Sequence, residues 1–213
     1  MPTRATVEER LSWHLAHSRA CARSIPPSLE RLDAGRTRAE LRQLLDGQDA
    51  RSLAQSVRAR ALIDERPGRI SELAALAGHA NWVVAMRAID LLEKIAREHP
   101  AWVQPHRRVF LVASASDRWL IRLHVVRALP LLKWTPKERA EAIRVLERDI
   151  RHPQLFVRAW ALDSLATFAT RTAPLMPRVR QTLVAFDRSA SAALRARARQ
   201  IRARLEKSRR RVG

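Results

Sequence analysis

The chain contains no tyrosine, a single cysteine, five glycines and four lysines in 213 residues. One cysteine, Cys21, excludes an internal disulfide framework and provides no cysteine-rich metal cluster. So few glycines leave no glycine-rich phosphate loop, while 46% apolar residues give the composition of a folded chain. No apolar run is long enough to span a bilayer, and no strand-type alternation stands out. Arg4, Glu8, Glu9 and Arg10 come too early for a secretory signal region. These absences predict no membrane insertion and the cytoplasm as the default location. Acids are scarce too, 21 against 41 basic residues, for a net charge of +20. A GC-rich coding sequence accounts for arginine in place of lysine but not for the deficit of acids.

The chain is rich in helical periodicity, stated several times over. Val84, Ala88, Leu92 and Ile95 fall at intervals of 4, 4 and 3; Ile121, Val125, Leu129 and Leu132 repeat them, and so do Val157, Ala161, Leu165 and Phe168. The copies are 37 and 36 residues apart, and a further 37 reaches Leu194, followed by Ala198. Such intervals put the apolar side chains on one helix face, and the fixed period makes that helix one member of a repeating pair. Shorter helices alternate with the marked ones. Thr135-Pro136-Lys137-Glu138 is a capping box that starts one of them, which runs to about Ile150 before His152-Pro153 breaks it. Pro105 opens another that ends near Ala113, and Pro174 and Pro177 precede a third over Val179 to Phe186. Asn81 is placed to cap the first marked helix, and Pro130 predicts a kink in the second.

Towards the N-terminus the spacing predicts a helix over residues 5–23 and a turn of helix at 28–32. A capping box at Thr37 to Glu40 leads a helix that stops at Gly47, and a further helix carries Val57, Ala61 and Leu62 on its core face. The expected organisation is an N-terminal helical cap and degenerate repeat over 1–66, repeats of about 36–37 residues over 67–207, and a basic disordered tail over 208–213, all in one structural domain.

The block Val157-Arg158-Ala159-Trp160-Ala161-Leu162-Asp163-Ser164-Leu165 resembles the second helix of a HEAT repeat, and Asp117 before Ile121-Arg122 matches the acidic turn residue of that family. The resemblance covers roughly residues 67–207 and implies an all-α fold, a right-handed α-solenoid of stacked HEAT-like helix pairs. It also implies that Arg122, Arg158 and Arg195, each next to the first core residue, form a structural ladder with acidic turn residues of neighbours. Trp82 and Trp119, at equivalent positions, are read as packing residues. Ser116 to Arg122 and Phe156 to Ala169 are also similar to repeats of the HEAT-like alkylpurine DNA glycosylases. In that family an Asp stabilises the cationic sugar as the damaged base departs. The matching segment here, Trp102-Val103-Gln104-Pro105-His106, carries no carboxylate, so the expectation is a protein that is not an enzyme.

The charge is uneven. Residues 1–66 carry +3, residues 67–187 carry +8, and the last 26 residues carry ten basic side chains against the single acid Glu206. A field of this kind attracts polyanions. In HEAT-like solenoids the second helix of each pair lines the concave face. The polar positions of the marked helices are Arg87, Asp90 and Lys94; His124 and Arg127; Trp160 and Asp163; Arg197, Gln200 and Arg204. Arg87, Lys94, His124, Arg127, Trp160, Arg197, Arg202 and Arg204 are therefore the candidate macromolecule-binding residues, Arg202 lying on the same Arg-rich C-terminal helix. The expected partner is nucleic acid, bound without regard to sequence, or an acidic protein. A solvated face with local ion pairs, and a C-terminal helix that is simply a soluble cap, are the plainer readings. No catalytic constellation is present: the seven histidines are scattered, and His14 with His17 lacks a third metal ligand. No cofactor, metal or small-molecule substrate is expected.

Overall fold

The computed structural model describes residues 39–47, 49 and 55–210. The predicted helices over 5–23 and 28–32, the capping box at Thr37, Cys21, His14, His17 and the last three residues lie outside them. Backbone contacts divide the chain into Met1–Ala39 and Glu40–Gly213, and the second unit is described here.

Every regular element among the described residues is helical. Residues 39–45 form α1, followed by α2 (Ser56–Glu65), α3 (Ile70–Leu76), α4 (Trp82–Glu98), the single turn α5 (Pro100–Val103) and α6 (Arg108–Ala113). After these come α7 (Trp119–Ala128), α8 (Pro136–Asp149), α9 (Leu155–Ala169), α10 (Met176–Asp187) and α11 (Ala192–Arg210). The helices that carry the repeated pattern stack in sequence, α4 on α7, α7 on α9 and α9 on α11. Each shorter helix, α3, α6, α8 or α10, packs on the longer one that follows it. All the marked apolar positions from Val84 to Ala198 are buried in one continuous core, which Leu41 and Leu45 of α1 and Ala59 and Ile63 of α2 join. Neither layer could bury its apolar face alone, so the stacking is what stabilises the helices.

One device recurs in the turn before each marked helix. The backbone N–H of Asn81 donates to His79 Nδ1, that of Arg118 to Ser116 Oγ, that of Gln154 to His152 Nδ1 and that of Ser191 to Ser189 Oγ, at 3.0–3.2 Å. The accepting residues are 37, 36 and 37 apart, the period of the core pattern. Burial, and then the charge of Arg122, hold the His152 imidazole below its usual pKa, which keeps Nδ1 an acceptor. Asn81 caps α4 as expected, accepting from Val83 N–H at 3.0 Å, and the Thr135–Glu138 capping box is fully formed.

Three expectations change. Pro130 ends α7 rather than kinking it: the helix stops at Ala128, a 3-10 turn covers Leu129–Leu131, and Leu132 is extended. Pro130 has no N–H to give the Val126 carbonyl, and the Ser164 hydroxyl of α9 donates to that oxygen at 2.6 Å instead. The buried face of α2 is Ser56, Ala59 and Ile63, with Val57 and Ala61 exposed. Arg60 borders that face and reaches Asp64 and also Glu98 of α4. Finally, α11 continues to Arg210, so residues 208–210 are helical; basic side chains in a last helical turn complement the helix dipole.

Candidate functional site

The polar positions of the four stacked helices form one connected band. On α4, Lys94 pairs with Asp90 at 2.8 Å and Arg97 with Glu93, each four residues apart. From α7, His124 Nδ1 lies 3.3 Å from both Asp90 and Glu93, and Arg127 reaches Glu93 at 3.5 Å. Arg127 also stacks over Trp160 of α9, 4.9 Å from the ring centroid, and its buried Nε makes no hydrogen bond. Arg197 of α11 covers Trp160 at 4.1 Å, so the indole lies against two guanidinium groups. Asp163 closes the band, 3.8 Å from Arg197 and 3.0 Å from Arg204, whose second nitrogen donates to the Asp163 carbonyl. Five cations, not counting His124, thus answer three carboxylates.

Glu93 is the centre of this network and is wholly buried. Burial alone would raise its pKa, but the His124 hydrogen bond and the charges of Arg127 and Arg97 outweigh it and hold the carboxyl below its usual range. The ligand atoms of Asp90, Glu93 and His124 lie within 4.8 Å of one another, a spacing that could hold a metal ion. Lys94, Arg97 and Arg127 already neutralise the two carboxylates, so a divalent cation would have to displace them. The arrangement is that of an ion-pair knot.

Of the residues expected to bind a macromolecule, Lys94, His124, Arg127, Trp160, Arg197 and Arg204 come together in this band. Arg87 and Arg202 do not. Arg87 is 2% exposed and donates to the carbonyls of Leu45, Asp46 and Asp49 at 2.7–2.8 Å, tying α1 and the chain beyond it to α4. Gly47 lies against this guanidinium with a φ of +144°, and a Cβ there would sit 2.9 Å from Nη1. Arg202 pairs with Asp187 at the end of α10. Sequence reasoning missed Glu93 and Arg97, although the i,i+4 acid–base pairs of α4 were readable.

The expected arginine ladder is mixed. Arg122 pairs with Asp149 at the end of α8, whereas Asp117 is exposed and, among the described residues, pairs only with Arg118. Arg158 donates to the Ile150 carbonyl at 3.3 Å, and Arg195 donates to those of Ser189 and Ala190 at 2.6 and 2.9 Å. The last two therefore satisfy carbonyls left open where α8 and α10 end. Trp82 and Trp119 are half-buried and pack against the core, with Arg118 5.0 Å over the Trp82 ring. In the segment Trp102–His106, Gln104 accepts from the Lys133 N–H at 2.9 Å and donates to the Lys133 carbonyl at 2.7 Å, while Trp102 stacks on His99.

The remaining charge of α11 is unanswered. Arg199, Lys207, Arg209 and Arg210 are exposed and pair with no carboxylate among the described residues.

No protein-family model and no curated protein matches the chain. Among solved structures it is similar to two engineered proteins from the Northeast Structural Genomics Consortium. The first is 19% identical, with a TM-score of 0.55 over 76% of this chain and 77% of that one; the second is 18% identical, with a TM-score of 0.55 over 76% of each. At such identity the likeness concerns the fold alone.

Proposed function

We propose that the chain is a HEAT-like, right-handed α-solenoid acting as a non-enzymatic scaffold for an acidic macromolecule, the nucleic-acid backbone first of all. The solenoid reading is supported by the successive stacking of α4, α7, α9 and α11, and by a turn hydrogen bond that returns with the period of the core. The binding reading is carried by how the charge is divided. Cations on the band are partly offset by three carboxylates, while those on the outer part of α11 meet none, so α11 is one source of the uncompensated field that a polyanion meets. Phosphate contacts release counterions, which makes affinity fall with salt and depend little on sequence.

Filter retention of a DNA duplex across a salt series tests this, with Arg199, Lys207, Arg209 and Arg210 replaced by Gln in the variant. The expected result is a linear fall of log affinity with log salt for the native chain, and a slope smaller by up to about three to four in the variant. Retention no tighter than roughly 0.1 mM at physiological salt would overturn the reading.

A protein-adaptor role has one observation in its favour: Leu155 and Phe156 stand exposed side by side at the start of α9. A partner recovered in a pull-down that survives nuclease and high salt, and is lost in Phe156→Ser, is the result that role requires.

A further inference from the structure

We propose that the cleft between the α7–α8 connection and the C-terminal end of α9 is a phosphate site that seats one backbone phosphate of a nucleic-acid strand. The proposal rests on the polyanion reading above and gives it a location apart from the concave band.

The cleft has a volume of about 230 Å³. Pro130 creates it. By ending α7 early it sends Leu132 into an extended conformation, and the chain turns back so that Trp134 lies buried beneath it, its indole N–H donating to the Leu129 carbonyl at 2.8 Å. Trp134 and Phe168 line the floor, and Lys133, Arg139 and Arg171 stand around it. These three cations are exposed and pair with no carboxylate among the described residues, and no acid lines the cleft. Their situation is the reverse of that in the band, where Asp90, Glu93 and Asp163 take up the charge.

The fourth polar group is Thr172. It lines the same cleft, and its Oγ1, buried just beneath the surface, has no hydrogen-bond partner. A buried hydroxyl left unpaired costs stability and calls for a partner. Three cations and a free hydroxyl donor together match the oxygens of a phosphate.

Size and setting choose the form of the ligand. Sites for free-standing small molecules occupy roughly 300–1,000 Å³, so this cleft holds less than a whole cofactor. It suits a phosphate and its sugar delivered by a longer chain. Across the α9–α10 connection a second cleft of about 600 Å³ is lined by Arg180, Arg202 and Arg209 with a single acid, Glu206, so the strand meets a net basic lining onward towards α11.

The test uses the full chain and fluorescence polarisation of a labelled DNA oligonucleotide, single-stranded and duplex, across a salt series. Replacing Lys133, Arg139 and Arg171 together by Gln is expected to reduce the slope of log affinity against log salt by roughly two to three. The control of equal charge, with Gln at Lys137, Arg144 and Arg151, is expected to change it by less than one. Thr172→Val is expected to weaken binding several-fold at an unchanged salt slope while leaving the thermal midpoint equal or higher, because it removes an orphaned hydroxyl. If the native chain binds neither oligonucleotide, the polyanion reading itself fails. If it binds and the cleft and control variants lose affinity equally, the cleft is not the site although that reading stands. A poly-glutamate peptide bound as tightly as the oligonucleotide would overturn the choice of a phosphate ligand.

Discussion

Glu93 has no solvent exposure and nevertheless keeps its carboxyl below the ordinary pKa, because His124, Arg97 and Arg127 converge on it. A folded-state pKa below the unfolded one means that the carboxylate's contribution is fully present above the ordinary value of 4.5 and is lost as pH falls through the lower folded value. Glu93→Gln keeps the shape, removes the charge and strands Arg97 and Arg127. It is expected to cost about 2–3 kcal/mol near neutral pH. Urea unfolding should show the gap between variant and native protein closing as the pH is taken well below 4.5; a gap independent of pH would sink this account of Glu93. Arg87 shows the opposite limit of residue-scale reading. Its place on the repeat matches Arg197, and nothing local distinguishes a surface cation from one that braces three carbonyls of a segment some 40 residues away. The partners are carbonyls at the end of α1 and in the chain just beyond it, and backbone carbonyls carry no sequence signature.

Between α7 and α9 the Pro130–Ser164 contact joins two elements through a single backbone oxygen. Ser164→Ala leaves the Val126 carbonyl buried without a donor and is expected to destabilise by about 1–2 kcal/mol. In a Pro130→Ala background residue 130 regains the N–H that belongs to this oxygen in a continuous helix, so the cost of removing Ser164 should shrink. A double-mutant cycle by chemical denaturation measures the coupling, and strictly additive effects would mean that the hydroxyl does not replace the proline's missing donor. At this scale the elements whose determinants are local were open to reading from the chain. The α8 capping box lies within four residues, and the core faces of α4, α7 and α9 follow from intervals of 3 and 4. The face of α2 was not, because it is decided by how Ala59 and Ile63 meet the core contributed by elements distant in sequence. The repeated turn was hidden for another reason: His and Ser accept the same N–H with unlike side chains, so the hydrogen bond is periodic where the letters are not. The candidate band was half readable, its cations from their register and its carboxylate centre only through the i,i+4 pairs of α4.

For the molecule as a whole, a net charge of +20 on 213 residues is a self-repulsion that the compact state must carry. The two classes of cation respond differently to salt. Pairs with a buried carboxylate, such as Arg127–Glu93 and Arg122–Asp149, are partly shielded from solvent, so screening weakens them less. The exposed, unanswered arginines of α11 and of the cleft beside α9 repel one another through solvent, where the Debye length falls from about 30 Å at 0.01 M to about 8 Å at 0.15 M. The thermal midpoint, followed by the helical circular dichroism signal, should therefore rise as sodium chloride is added over that range, the reverse of what a fold held by surface ion pairs would do. Sodium phosphate at equal ionic strength should raise it further, since an anion bound by the native state alone stabilises it by an amount that grows with the logarithm of its concentration above Kd. That extra rise should vanish when Lys133, Arg139 and Arg171 are replaced by Gln. A midpoint that falls with added chloride would mean that exposed pairs such as Arg60–Glu98 outweigh the repulsion, and the division of charge on which the binding reading rests would then be wrong.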